Sequence, residues 1–325
     1  MIPNPPAKDG QLSFLWLPPH RVQGFSVAGE QTVVHVPELE VAFDVGFCPR
    51  VLVPCPSIAL SHAHMDHIGG LPYWFSQRYF QKLPPGKLHC HHAIAQPLLN
   101  MMKGWVDLER QQTPHEVIGM EDGQEVLLKP NIYLRAIEVR HTVPALGFVV
   151  IERRNKLKPE FADLPADALR EAKARGEAIT RQIDIPLVAY TGDTSPGEFL
   201  VRDEFADARI MIAECTFFEP EHNDRARTGM HLHIDDIVRM LPVWKAEAIV
   251  LVHVSRRTTI HYARERIEKL AGAHADRIHL LMDHRTNRAR YEAQLAAVSD
   301  AAAKSAPAPE SAAGESQAEN PAAGE

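Results

Sequence analysis

Residues 61–70 have the sequence SHAHMDHIGG, which follows the short apolar segment SIAL and precedes a helix-like stretch. In an extended chain alternate side chains project to the same side, so His62 and His64 should face the same way. The chain then turns, and Asp66 and His67 can point into the same cavity from the start of a helix. Three imidazoles and one carboxylate within six residues form a set of ligands that suits zinc. This stretch therefore predicts a metal site.

Further candidate ligands stand at the ends of apolar segments downstream. His141 follows AIEVR, Asp193 follows LVAYTG, and His253 lies within IVLVHV. Each of them alone is explained equally well as a hydrogen-bonded core or turn residue. Because all three accompany the first cluster and end strand-like segments, they predict ligands for a second metal ion. Zinc is the expected ion, although manganese or iron could occupy the same nitrogen and oxygen ligands.

Composition and charge describe an ordinary globular protein. Of the 325 residues 45% are apolar and 24% are charged, and the formal net charge is −7. Residues 301–325 carry four glutamates and one lysine, a net −3, which leaves −4 for the rest of the chain. This overall charge gives no support for a nucleic-acid partner. The chain has no signal-peptide pattern and no long apolar run, and its four cysteines form no CxxC pair. These features favour a cytoplasmic protein with free thiols and no membrane partner.

The order of the predicted elements indicates the class of fold. Many short strand-like segments alternate with a few helical patterns, and two packed β-sheets with helices outside would satisfy this order. The helical patterns are clearest at 93–103, 164–175, 234–241 and 259–271. We expect one domain over residues 1–300. The segment 301–325 lacks large apolar residues and should be a disordered tail.

Taken together, these motifs resemble the metallo-β-lactamase superfamily and, within it, the ribonuclease Z family of tRNA 3′-processing endonucleases, nearest the short plant-type form. The resemblance rests on SHAHMDHIGGLP (61–72), RHTVPALGFVV (140–150), YTGDT (190–194), AECTF (213–217), HLHIDDIV (231–238) and VHVSRR (252–257). The HxHxDH element by itself identifies only the superfamily. Glu214 and His231 discriminate further, although a surface ion pair and a helix cap would also explain them. The resemblance implies an α/β fold, the αββα four-layer sandwich.

The resemblance also implies a site with two divalent metal ions. One ion would be held by His62, His64 and His141, and the other by Asp66, His67 and His253. Asp193 would bridge the two ions.

A mechanism for removing the 3′ trailer of precursor tRNA follows from the same resemblance. A metal-bound hydroxide would attack the phosphodiester, with Asp66 orienting it or accepting its proton. His231, kept protonated by Glu214, would be the general acid for the departing 3′ oxygen.

The choice of substrate rests on less specific features. Residues 156–180 carry Lys156, Lys158, Arg170, Lys173 and Arg175. These charges fit an ordinary exposed helix and an RNA-holding arm equally well. The resemblance implies precursor tRNA as the partner and a homodimer as the assembly. The alternative is a hydrolase of small esters, lactones or cyclic phosphodiesters that uses the same metal site.

Overall fold

The computed structural model describes residues 2–6 and 11–305, and within them the chain builds two sheets of seven strands each. The strands of the first sheet are adjacent in chain order: β1 (Ser13–Leu17), β2 (His20–Val27), β3 (Gln31–Val36), β4 (Val41–Phe43), β5 (Ser57–Ala59), β6 (Gly86–His91) and β7 (His115–Met120). Strands β1 to β4 pair antiparallel, and β4 to β7 pair parallel.

The second sheet repeats this plan. Its strands are β8 (Glu125–Lys129), β9 (Ile132–Val139), β10 (Ala145–Leu157), β11 (Thr180–Tyr190), β12 (Ile210–Glu214), β13 (Ala248–Val252) and β14 (Ile278–Leu280). Strands β8 to β11 pair antiparallel, and β11 to β14 pair parallel. The residues of β12 and β13 are all buried, as expected for parallel strands that are covered on both faces.

The α-helices of the described residues are α1 (Met65–Ile68), α2 (Leu71–Phe80), α3 (His92–Glu109), α4 (Ala166–Ala174), α5 (Asp203–Ala206), α6 (Asn223–Gly229), α7 (Ile234–Met240), α8 (Ile260–Ala271) and α9 (His284–Ser305). Helices α2 and α3 cover the outer face of the first sheet, and α7 and α8 cover that of the second. None of these described helices combines the length and the apolar character that a bilayer crossing requires. Helix α9 continues past residue 300, and the predicted tail beyond Ser305 lies outside the described residues.

Three apolar clusters define the layers. The central cluster fills the space between the sheets and includes Phe43 and Phe148. On the outer face of the first sheet, Trp74 of α2 and Leu98 of α3 belong to a second cluster. A third cluster joins Ile237 of α7 to the outer face of the second sheet. The order is therefore helix, sheet, sheet, helix, which confirms the predicted four-layer α/β sandwich.

Strands β10 and β11 form a long two-stranded ribbon. Their pairing runs from Phe148 opposite Tyr190 to Leu157 opposite Thr180. Strand β9 pairs with β10 only as far as Glu152, so the outer part of the ribbon has no third strand. Helix α4 lies in the connection at its end, within residues 156–180. This segment therefore forms the outer end of a β-ribbon, with a short helix at the tip.

Candidate metal centre

All seven predicted metal ligands lie together at one edge of the sandwich. His62 and His64 follow β5, and Asp66 and His67 belong to the short helix α1. The more distant ligands follow three strands of the second sheet: His141 after β9, Asp193 after β11 and His253 after β13. Strand ends of both sheets thus supply ligands to one cavity, as is usual for sites in α/β folds.

The first group of ligands is His62, His64 and His141, whose facing nitrogens lie within 4.8 Å of one another. Nδ1 of His64 is 2.9 Å from Nε2 of His62 and 3.3 Å from Nε2 of His141. Ligands placed at about 2.1 Å from a tetrahedral zinc ion would be ~3.4 Å apart. The spacing of these three nitrogens therefore fits a single ion.

The second group is Asp66, His67 and His253. Nε2 of His253 is 3.3 Å from Nε2 of His67 and 3.4 Å from Oδ2 of Asp66. Asp193 lies between the two groups, with its Oδ2 3.3 Å from Nε2 of His67 and of His253 and 3.8 Å from Nε2 of His62. Its other oxygen, Oδ1, is buried and has no hydrogen-bond partner among the described residues. A buried carboxylate oxygen without a partner is costly, and a cation in the cavity would satisfy it.

Asp44 fixes the orientation of two of these histidines from behind. Its carboxylate accepts hydrogen bonds from Nδ1 of His67 at 2.8 Å and from the hydroxyl of Ser61 at 2.9 Å. The Ser61 oxygen in turn lies 3.0 Å from Nδ1 of His62 and can accept its proton. The hydroxyl of Tyr190 donates to the same carboxylate at 2.6 Å. With protons held on Nδ1, both imidazoles aim the lone pair of Nε2 into the cavity.

His253 is held in the same manner by residues from both sheets. Its Nδ1 lies 3.0 Å from the hydroxyl of Thr216, which donates to Oε2 of Glu214 at 2.7 Å. Its backbone N–H donates to the hydroxyl of Ser26 at 2.9 Å. The backbone of His253 has a φ of 60°, a left-handed conformation that is uncommon for a residue with a side chain. These contacts hold the residue in that conformation and direct its Nε2 toward the cavity.

The electrostatics of the cavity favour a cation. Burial opposes ionisation of Asp193, but His253 and His67 hold the pKa of its carboxyl well below the ordinary value. Burial, reinforced by the neighbouring His67, lowers the pKa of His62 and keeps its imidazole neutral. Burial also acts against protonation of His67, yet Asp193 and Asp44 raise its pKa well above the ordinary value. The carboxylates that favour a proton on His67 would also favour a metal ion in its place.

Glu214 and His231 form an ion pair at the side of this cavity. Oε1 of Glu214 is 3.0 Å from Nδ1 of His231 and also accepts the backbone N–H of Thr194 at 2.9 Å. Burial alone would lower the pKa of His231, but the Glu214 carboxylate raises it to about 9. Nδ1 of the neighbouring ligand His141 lies 3.1 Å from the carbonyl oxygen of Met230, so its proton can be donated there. Because His231 follows Met230 in the chain, the ion pair lies directly beside the ligand His141.

Comparison with known proteins identifies the family. The profile described as "Beta-lactamase superfamily domain" matches residues 47–254. The Arabidopsis thaliana protein tRNase Z TRZ1 is 30% identical over 77% of this chain and 90% of its own length. The chain belongs to the tRNase Z family of the metallo-β-lactamase superfamily. A second tRNase Z relative of the same plant, the chloroplastic TRZ2, is 30% identical over 77% of this chain and 72% of its own length.

The fold of this tRNase Z family member also matches a solved structure. The metallo-β-lactamase fold protein YhfI from Bacillus subtilis superposes with a TM-score of 0.54 over 83% of this chain and 94% of that protein. The sequence identity of the two chains is 13%, so this similarity concerns the fold alone.

Inspection of motifs missed the residues that orient the ligands. Asp44, Tyr190 and Thr216 are all buried: Asp44 accepts from His67, Thr216 accepts from His253, and Tyr190 donates to Asp44. An aspartate at the end of an apolar strand in AFDVG was the only available signal for Asp44. His89 of β6, one of the three histidines in KLHCHH, is buried and belongs to none of the ligand groups.

Proposed function

We propose that this chain is an endoribonuclease that hydrolyses a phosphodiester at the 3′ end of precursor tRNA and thereby removes the trailer. The observation that carries the proposal is the Glu214–His231 ion pair beside the seven-ligand cavity. A metal cavity alone fits many hydrolases, whereas a partly buried acid next to it suits a reaction with a poor leaving group. The relatives named tRNase Z support this choice of substrate.

The cavity would hold two divalent ions, and its histidines and carboxylates suit zinc best. One ion would be held by His62, His64 and His141, and the other by Asp66, His67 and His253. Asp193 would be a ligand of both ions. When bound, such ions polarise a phosphoryl oxygen and lower the pKa of a coordinated water from 15.7 toward about 7. Oδ2 of Asp66 accepts a hydrogen bond from the backbone N–H of Gly29 at 2.9 Å, and this contact orients the Asp66 carboxylate at the mouth of the cavity.

His231 would be the general acid. Its Nδ1 is engaged by Glu214, and its Nε2 makes no hydrogen bond to another described residue. The side chain is 17% exposed, so Nε2 can reach a substrate. Glu214, against the effect of burial, raises the pKa of this ring to about 9, which favours its protonated form. This proton would pass from Nε2 to the departing 3′ oxygen.

The ribbon of β10 and β11 would hold the RNA away from the cavity. Lys156 on β10 lies directly opposite Arg181 on β11. Like charges in opposite positions of a ribbon destabilise it, and a phosphate bound between them would remove the repulsion. Neither side chain has a carboxylate partner within the described residues, whereas Arg170 and Arg175 are paired with acidic neighbours. The arm would therefore use Lys156 of the segment 156–180 together with Arg181, which directly follows that segment on β11.

We propose a homodimer that is built on the outer helices of the first sheet. Tyr73 and Phe80 of α2 and Trp105 and Leu108 of α3 are exposed, although both helices pack their other faces on the same core cluster. Large aromatic side chains on one helical layer are typical of an interface between proteins.

The four cysteines are free, which suits the reducing cytoplasm. The hydrolase domain would extend over residues 1–300, followed by the tail 301–325.

Cleavage of a precursor tRNA with a 3′ trailer tests the proposal. The expected products are a tRNA with a 3′-hydroxyl and a trailer with a 5′-phosphate, identified by mapping both ends. Bis(p-nitrophenyl) phosphate is assayed in parallel, because an open metal site can cleave it without recognising RNA. Hydrolysis of this small diester together with intact precursor tRNA would contradict the proposal and favour a hydrolase of small esters.

A further inference from the structure

A cavity of about 540 Å³ opens beside the metal centre, on the side of His141. Its wall is formed mainly by the end of β9, the loop that leads into β10 and the segment that follows Asp193, with Asp122 between β7 and β8. The lining residues include Glu138, Arg140, His141, Thr142 and Phe199. Because His141 borders both spaces, a chain of nucleotides whose phosphate sits at the metals would continue into this cavity. A volume of this size is typical of small-molecule sites.

Arg140 is the cation of this cavity that remains free for a ligand. Within the part of the chain that the structure describes, Arg202 is paired with Asp122 and Glu204, whereas Arg140 is exposed and has no carboxylate partner. Its backbone, in contrast, is fixed. The Arg140 carbonyl accepts hydrogen bonds from the N–H of Ser195 at 2.8 Å and from the hydroxyl of Thr194 at 3.2 Å. A free guanidinium on a fixed backbone, adjacent in sequence to a ligand, suits a phosphate near the metals.

Phe199 supplies an aromatic surface in the same cavity. It lies in a short turn of 3₁₀ helix, Glu198–Val201, and is only partly buried against the core of the second sheet. Unpaired nucleic-acid bases stack on such side chains regardless of their sequence. Glu138, a carboxylate of the wall that forms no ion pair within the described part of the chain, can accept N–H groups from the edge of a base. The wall therefore offers contacts for both a phosphate and a base.

We infer that this cavity is a binding site for one unpaired nucleotide next to the scissile phosphate, with its phosphate on Arg140 and its base on Phe199. The inference rests on the proposed function, since it presumes an RNA substrate. It adds specificity-determining residues that lie outside the metal ligands and outside the acid pair. A substrate without neighbouring nucleotides would not use them.

The test compares Arg140→Ala, Arg140→Lys and Phe199→Leu with the wild type. Arg285→Ala is the matched control, because Arg285 is exposed on α9 and has no ion pair among the described residues. Binding of precursor tRNA is measured by fluorescence anisotropy at several salt concentrations, with His231→Ala present in every variant to prevent turnover. Cleavage of precursor tRNA and of bis(p-nitrophenyl) phosphate is measured without that substitution. Thermal unfolding of each variant shows whether it is folded.

We expect Arg140→Ala to weaken RNA binding about tenfold and to reduce the slope of log K against log[salt] by about 0.7, the loss of one single-strand phosphate contact. Arg140→Lys should recover most of that slope. Phe199→Leu should weaken binding about fivefold or more with an unchanged slope, since stacking involves no counterion. Arg285→Ala should cleave bis(p-nitrophenyl) phosphate at the wild-type rate, and Arg140→Ala and Phe199→Leu should lose much less activity on this small diester than on precursor tRNA.

Two results would overturn the inference while leaving the proposed function intact. The first is cleavage of precursor tRNA by the wild type with no change of RNA affinity in Arg140→Ala and Phe199→Leu. The second is an equal loss of activity on the small diester, which would mean that Arg140 acts through His141 on the metal centre. Failure of the wild type to cleave precursor tRNA would instead overturn the proposed function, and the nucleotide site with it.

Discussion

Replacing Asp44 by asparagine tests how the protein holds its ligands. The carboxylate accepts four hydrogen bonds: from the Ser61 N–H at 2.7 Å, the Ser61 hydroxyl at 2.9 Å, the His67 Nδ1–H at 2.8 Å and the Tyr190 hydroxyl at 2.6 Å. In Asp44→Asn the oxygen that serves Ser61 N–H can remain, but an NH₂ group then faces the other three donors. The two hydroxyls can rotate and accept, whereas the N–H of His67 cannot.

The expected loss of metal affinity follows from the N–H of His67, which would face the NH₂ group of the asparagine. Either the His67 N–H loses a hydrogen bond to a charged group, which costs about 1.5–3 kcal/mol, or the ring moves its proton to Nε2. A proton on Nε2 occupies the lone pair that faces the cavity, so metal binding must first remove it. Changes in residues that support metal ligands typically weaken metal binding 10–100-fold. We expect a loss of this size in Asp44→Asn.

The assay is removal of the bound metal by a chelator, with elemental analysis of the protein at each chelator concentration. Tyr190→Phe is the matched control, because it removes one donor to the same carboxylate and leaves the His67 contact in place. It should keep metal affinity within a few-fold of the wild type. If Asp44→Asn resists the chelator as well as the wild type does, the reasoning about the His67 proton is wrong.

Further predictions concern the acid, the stability and the arm. His231→Ala should retain its metal content and cleave precursor tRNA 10²–10⁴ times more slowly; an unchanged rate would exclude the general-acid role. Burial, with a smaller contribution from Arg21, lowers the pKa of His35 to about 3. Because this folded-state pKa lies below the unfolded value of about 6.5, the stabilisation by neutral His35 is complete above pH 6.5 and is lost as the pH falls toward 3. Relative to His35→Gln, the wild type should therefore lose about 2 kcal/mol of unfolding free energy between pH 7.5 and pH 5, measured by urea denaturation; parallel pH profiles of the two proteins would contradict this. Lys156→Ala combined with Arg181→Ala should reduce the salt slope of RNA binding by about 1.4 and leave hydrolysis of bis(p-nitrophenyl) phosphate unchanged. An unaltered slope would remove the arm from the RNA-binding surface.

The sequence by itself determined the local features of this protein. The alternation of side chains in a strand and the turn into α1 depend only on adjacent residues, so the first ligand cluster could be derived from residues 62–67. Apolar segments of strand length also predicted most of the central strands for the same reason. The edges are harder to derive: no motif in the sequence marks the edge strands β1, β7 and β14, and the helix predicted at 93–103 extends over His92–Glu109. Edge strands and helix ends are stabilised mainly by contacts with distant parts of the chain, which local patterns do not record.

Only the tertiary structure decided how the site is assembled. Sheet order places His141, Asp193 and His253 beside the first cluster, although His253 follows Asp66 by 187 positions in the sequence. The same packing directs Asp44 to Ser61, His67 and Tyr190, and it holds His253 in a left-handed conformation. Such partners are set by the sum of many weak packing contacts across two sheets rather than by any motif. The motif therefore identified the ligands, and the packed fold selected the residues that orient them.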